Sequence, residues 1–202
     1  MLFVPTAVTR SHVVSPVARP SVDAPVISLS AAVLVLGDKT AEGRLVESIA
    51  IPWLEILALI RRDPSAAYQI DPRKWEEIIA GAYKAGGFDD VILTPRSGDH
   101  GRDVIATKTG VGSIRIFDQV KAYRPGHLVT ADEVRSLAGV LSGAGNVSKG
   151  IVTTTSDFAP RLRDDPFMSA LMPHRIELKP GAVLFPWLDE IAATSRMPKP
   201  SS

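Results

Sequence analysis

Residues 97–123 read SGDHGRDVIATKTGVGSIRIFDQVKAY. The stretch predicts a turn, a strand, a tight glycine loop and a second strand. Residues 104–107 and 114–120 are the expected strands, with Gly110 and Gly112 turning the hairpin between them. Side chains alternate along a strand. Gln119 and Lys121 therefore share a face with Phe117, while Ile116, Val120 and Ala122 are more central. Asp103 begins the first strand. An acid, an amide oxygen and an ammonium brought together are unusual contents for a core. Carboxylate and amide oxygens are hard ligands that suit Mg²⁺ or Mn²⁺. A lysine beside such an ion can orient or deprotonate water and stabilise charge on a phosphate.

Upstream, Asp71 and Pro72 predict a helix start, with Asp71 as N-cap. The helix covers residues 73–84, with Trp75, Ile78, Ile79 and Tyr83 on its apolar face, and Gly86 and Gly87 stop it. Residues 88–94 are a strand candidate. Residues 40–62 carry Leu45, Ile49, Trp53, Ile56, Leu57 and Ile60 at helical steps, so a helix is expected there, interrupted at Pro52 and ended by Pro64. The apolar run at residues 26–36 reads as a strand or short helix, and Gly37, Asp38 and Lys39 as a turn. Residues 1–25, rich in proline, show no period.

Downstream, Thr130 and Glu133 form a capping-box pattern that opens a helix to about Leu141. Residues 149–155 are a short buried strand and residues 158–171 a weak helix. Residues 176–178 are a strand and residues 181–193 a closing helix. This order predicts an α/β fold with a mixed sheet and helices on both faces.

The chain has 202 residues, enough for one domain with a sizeable core. Its formal net charge of +1 leaves nucleic-acid binding open, because a local patch can be basic in a balanced total. The absence of cysteine excludes disulfides and thiolate zinc sites and fits a cytoplasmic location. Residues 26–36 are too few to cross a bilayer, so no membrane association is expected. They lie far from Met1 without a compact basic segment before them, unlike a signal peptide.

An Asp at a strand start followed by Q-x-K on the next strand resembles the core pattern of the PD-(D/E)XK nucleases. Five blocks in order resemble, more specifically, the catalytic domain of Mrr-like type IV restriction endonucleases. They are WEEIIAGAYKAGGF, VILTPRSGDHGRDVIA, FDQVKAYRPG, LVTADEVRSLAGVL and KGIVTTTSDFAP. The resemblance implies a restriction-endonuclease-like core at residues 71–195, after an N-terminal arm and helical extension at 1–70 and before a tail at 196–202. It implies Asp103 as the principal metal-binding acid, Gln119 in place of the second acid, and Lys121 as the catalytic lysine. Glu76 would be a supporting acid, Val120 a backbone carbonyl ligand, and Asp99 a secondary loop acid.

The implied reaction is Mg²⁺-dependent hydrolysis of phosphodiester bonds in double-stranded DNA, with Mn²⁺ as a possible substitute, in restriction of foreign or modified DNA. Cutting both strands needs two sites, which points to a homodimer. Arg102, Lys108, Arg115, Arg124, His127 and Lys149 are candidate phosphate contacts, Tyr123 a stacking residue and Thr154 a donor. Glu77 and His100 are read as surface residues. Two other readings stay open: a DNA-binding or dimerisation module without turnover, and a junction or repair nuclease of the same superfamily.

Overall fold

The computed structural model describes residues 29–95 and 101–195. The first elements are strands β1 (Leu34–Lys39) and β2 (Arg44–Ile49), paired antiparallel. The helix expected over residues 40–62 is therefore confined to α1 (Ile51–Arg62). Leu45 and Ile49 fit a helical step, but a tight turn intervenes. The Thr40 hydroxyl accepts the backbone N–H groups of Glu42 and Gly43 at 3.2 and 3.1 Å. Gly43 passes so close to the chain at Leu93 that a Cβ would lie 2.2 Å from the Leu93 carbonyl oxygen. The turn falls here rather than at Gly37–Lys39, which lie within β1. Of the apolar run, residues 26–28 lie outside the described residues, and strand geometry begins at Leu34. Pro52 sits in the first turn of α1, where a missing N–H breaks no helical bond.

The chain then makes a 3₁₀ turn, Pro64–Gln69, and enters α2 (Pro72–Ala85). The Asp71 carboxylate caps α2 by accepting the Arg73 N–H at 2.8 Å. Strands β3 (Asp90–Leu93), β4 (Val104–Gly110) and β5 (Gly112–Lys121) follow as an antiparallel meander. After β6 (Leu128–Val129), the capping box of Thr130 and Glu133 opens α3 (Ala131–Gly143). Strand β7 (Lys149–Thr154) returns parallel to β5, with Lys121 opposite Thr154.

The weak helix expected over residues 158–171 resolves into three pieces. They are β8 (Asp157–Phe158), a 3₁₀ turn at Leu162–Asp164, and α4 (Pro166–Leu171). Pro166 starts α4 afresh, with Asp165 as its cap. Strand β9 (Ile176–Lys179) and helix α5 (Gly181–Ser195) complete the described chain.

The main sheet has the order β1-β2-β3-β4-β5-β7-β9, antiparallel through β5 and parallel beyond it. Helices α1, α2 and α5 bury Trp53, Ile56, Trp75, Ile79 and Leu184 in one core with Val91, Val104 and Ala106 of the sheet. On the other face, Val134, Leu137 and Leu141 of α3 and Met168 of α4 pack with Phe117 and Val152. The predicted mixed sheet with helices on both faces is the fold observed. Strand β5 is the switch between its antiparallel and parallel halves. Its C-terminal end lies beside the start of β4 and the end of β7.

Candidate active site

Asp103 stands just before β4, and its backbone is held from both sides. Its N–H donates to the Asp118 carbonyl at 2.9 Å, and its carbonyl accepts the Thr94 N–H at 3.0 Å. The Thr94 hydroxyl, also buried, donates to the Arg102 carbonyl at 2.7 Å. So anchored, the Asp103 carboxylate reaches β5 and accepts the Val120 N–H at 2.7 Å. The acid thus lies across the strand segment that carries Gln119 and Lys121.

Gln119 is almost fully buried, at 7% exposure. Its side-chain oxygen has no hydrogen-bond partner among the described residues. Gly101 lies against its amide nitrogen, where a Cβ would come within 3.4 Å, and has φ of 76°. The positive φ favours glycine there. A buried amide oxygen without a donor costs about 1–3 kcal/mol of desolvation unless something occupies it.

Lys121 points towards α3, with its ammonium 3.6 Å from Glu133. Glu133 also accepts from the backbone and hydroxyl of Thr130, both at 2.9 Å, and from the Tyr123 hydroxyl. Burial works to raise the Glu133 carboxyl. The hydrogen bonds from Thr130 and Tyr123 and the nearby Lys121 charge outweigh it, so the group titrates below its ordinary range. The Tyr123 phenol is pushed up to about 12, by burial first and by Glu133 second. The Tyr123 ring stacks on His127 with centroids 4.1 Å apart.

Glu76 projects from α2 and pairs with Arg73. Arg73 also donates to the Thr94 carbonyl at 2.8 Å, and Thr94 in turn holds Asp103. Glu76 is linked to the site through this relay. Glu77 pairs with Lys74 at 2.5 Å. Asp99 and His100 lie outside the described residues.

The candidate DNA contacts divide. Tyr123, Arg124 and Thr154 lie at the Lys121 end of the sheet, and the Thr154 hydroxyl donates to the Lys121 carbonyl at 2.8 Å. Tyr123 and Arg124 border a cavity of about 270 Å³ facing Gln69 and Trp75. Arg102 adjoins Asp103, but its guanidinium lies over the Phe117 ring, 4.8 Å from the centroid. Lys149 begins β7, at the opposite end from Thr154, and pairs with Glu177 at 2.9 Å.

One polar residue of the strand escaped the sequence reading. Asp118, between Phe117 and Gln119, is fully buried on the α2 side. It accepts the Tyr83 hydroxyl at 2.7 Å and the Thr153 hydroxyl at 2.9 Å. Burial pushes its carboxyl up to about 6, against the opposing Lys179 charge and these two hydrogen bonds. Burial lowers Lys179, which lies 3.7 Å from the Trp187 ring centroid, while Asp118 opposes that shift. The signal was the alternation itself, which places an acid on the apolar side with Ile116 and Val120.

Among the described residues, no group of three or more His, Asp and Glu side chains is placed to hold a metal ion. The donors at the site are of another composition. The Asp103 carboxylate and the unpartnered Gln119 oxygen are both hard oxygens. That chemistry fits Mg²⁺ or Mn²⁺ with retained waters better than zinc or copper.

A family model described as restriction endonuclease matches residues 67–185. Among solved structures, the DNA modification-dependent restriction endonuclease AspBHI is 17% identical, over 70% of this chain and 39% of that one, with a TM-score of 0.42. The MspJI restriction endonuclease, solved in complex with a 27-mer oligonucleotide, is 16% identical, over 71% of this chain and 34% of that one, with a TM-score of 0.38. The chain spans less than two fifths of the length of either. No curated protein matches it. Among the described residues, no helix is long and apolar enough to cross a membrane.

Proposed function

The chain belongs to the restriction endonuclease family, whose members are deoxyribonucleases, and from that premise we propose that it is a Mg²⁺-dependent DNA endonuclease acting on foreign or modified double-stranded DNA. The observation that carries this reading is that Asp103, oriented by the Val120 N–H, lies across the strand segment of Gln119, whose buried oxygen has no hydrogen-bond partner among the described residues. Asp103 and Gln119 would hold Mg²⁺, or Mn²⁺ in its place, which supplies an activated water and neutralises phosphate charge when bound. Lys121 would orient the attacking water and stabilise the charge that develops on the phosphate oxygens. Hydrolysis forms a bond from the water oxygen to phosphorus and breaks the bond to the leaving alkoxide, which takes up a proton. Val120, assigned here as a backbone carbonyl ligand, would also keep Asp103 aimed through its N–H. Glu76 would support the acid through Arg73 and Thr94, and Asp99 would act from the adjoining loop.

Residues 71–195 would form the nuclease domain. The hairpin of β1 and β2 adds two strands to its sheet, and the arm at residues 1–36, of which 1–28 lie outside the described residues, is the candidate contact with a second copy. A homodimer would place two such sites on opposite strands.

A plasmid cleavage assay with Mg²⁺ or Mn²⁺, on methylated and unmethylated DNA, tests this reading. Cleavage by the wild type and its loss in Asp103→Ala and Lys121→Ala are the expected outcome. Cleavage that persists in both variants would overturn the site assignment. Binding without cleavage by every form would favour a module that kept the fold without turnover.

A further inference from the structure

Three side chains meet on the α3 side of the sheet, beside Asp103. Glu42 stands in the turn between β1 and β2, Arg102 immediately precedes Asp103, and Arg115 lies on β5. One Glu42 carboxylate oxygen pairs with Arg115, and the other lies 3.9 Å from Arg102. Both guanidiniums lie over the same Phe117 ring, 4.8 and 5.7 Å from its centroid. The arginine side chains are only 20% and 18% exposed.

The arginines are incompletely satisfied by this partner. Glu42 offers one oxygen to each, and the Nε–H of both Arg102 and Arg115 is buried with no acceptor among the described residues. A guanidinium prefers a two-pronged contact with carboxylate or phosphate. Two arginines fixed by one aromatic ring and served by one carboxylate resemble an anion site filled by a smaller substitute. Arg115 is four residues from Gln119 on β5, roughly 13 Å at 3.3 Å per residue, and lies at the Lys149 end of the sheet.

We propose that Arg102 and Arg115 form a phosphodiester-binding site, and that Glu42 occupies it in the DNA-free protein and leaves it when a DNA phosphate binds. The proposal rests on the nuclease reading for its ligand, and it concerns a phosphate other than the one cut. Glu42 then acts as a competitor that weakens contact with any DNA not well seated at the site. Exchange of the carboxylate for a phosphate changes ion pairs only, and breaks no covalent bond.

The test measures binding of the full chain to a 20-base-pair duplex by fluorescence anisotropy across a salt series, without divalent metal, beside thermal melting of each protein. Glu42→Gln removes the competing charge and keeps the shape. It is expected to tighten binding about 10-fold at low salt with the salt slope unchanged, because both complexes make the same phosphate contact. Arg115→Gln added to Glu42→Gln is expected to cancel the gain and to flatten the log–log slope by about 0.9, one phosphate contact. Glu42→Ala serves as a second variant should Glu42→Gln fold poorly. If folded Glu42 variants bind with wild-type affinity, the site is a structural ion cluster and the proposal fails. That failure stays separate from failure of the nuclease reading: plasmid cleavage that depends on Asp103 and Lys121 would stand, and only the Glu42 result would be negative. Absence of DNA binding by every protein would overturn both.

Discussion

Strand β5 carries two polar sites on opposite sides of the same backbone, one residue apart. On the α2 side, Asp118 is sealed in and accepts from Tyr83 and Thr153, with Lys179 close by. On the α3 side, Gln119 is nearly as hidden, and its oxygen meets no donor among the described residues. The first arrangement ties α2, β5 and β7 together through Asp118 Oδ2, while Asp118 Oδ1 is buried without a hydrogen-bond partner among the described residues. The second is the arrangement in which a cation is proposed to bind, between the Gln119 oxygen and the Asp103 carboxylate. On that reading, Asp118 holds the sheet and Gln119 holds a ligand.

The widest gap between the two sites should appear with Asp103→Ala and Asp118→Ala. Loss of the Asp103 carboxylate is expected to cut plasmid cleavage on the order of 10³-fold and to leave the melting temperature nearly unchanged. Asp118→Ala should do the reverse. It strands the Tyr83 and Thr153 hydroxyls and the Lys179 ammonium, at a cost of about 3 kcal/mol in urea unfolding. An Asp103 variant that melts early, or an Asp118 variant of full stability, would break the division.

Acid titration sharpens the same division. The folded Asp118 carboxyl is pushed up to about 6, well above the ordinary aspartate range. The folded protein therefore holds that proton over a range where the unfolded chain has released it, and stability falls as pH rises from about 4 to 6. At about 1.4 kcal/mol per unit, the span is roughly 3 kcal/mol. Asp118→Asn, measured in EDTA by urea unfolding at pH 4, 5, 6 and 7, should flatten this part of the curve. An unchanged slope in the variant would show that another group titrates there.

The next effect is smaller and concerns metal. Gln119→Met keeps much of the side-chain length and removes the oxygen. Mg²⁺ affinity, read by isothermal titration calorimetry, should fall about 10- to 100-fold, the range typical of weakened metal sites. Stability without metal should hold or rise by about 1 kcal/mol, because an unsatisfied buried acceptor is gone. A variant that loses stability without metal would show that Gln119 belongs with Asp118 as a structural group.

Much of this was legible in local sequence, because the signals were local. The glycines at 110 and 112, the capping box at Thr130 and Glu133, and the alternation through Phe117, Gln119 and Lys121 each depend on neighbours in the chain. What failed was a conflict of periods. Leu45 and Ile49 fit a helical step as well as a strand, and the choice was made by the Thr40–Gly43 turn packing on Leu93. The Asp118 network and the Glu42 contact to Arg115 were illegible for a different reason. Their partners lie 35 and 73 residues away, and only the folded sheet brings them together. The place of Lys149 was illegible on similar grounds, since strand direction decides which end of β7 it occupies.

The smallest expected effect is also the cleanest comparison of the two faces. Tyr83→Phe removes one hydroxyl from the Asp118 network and keeps the ring that packs on Phe88 and Trp187. Burial and the adjacent Asp118 raise the Tyr83 phenol well above its ordinary range, so the hydroxyl stays protonated and donates throughout the working pH range. Its loss should cost about 1–2 kcal/mol in unfolding free energy and should raise the folded Asp118 carboxyl further, because one stabilising donor to its charged form has gone. Tyr123→Phe removes a hydroxyl from Glu133 on the other face. Glu133 keeps its Thr130 donors there, so the stability change should be under about 1 kcal/mol, while DNA cleavage responds through the freed Glu133 beside Lys121. Equal stability losses in the two variants, with equal cleavage, would mean that the faces of β5 do not differ in the way their hydrogen bonds imply.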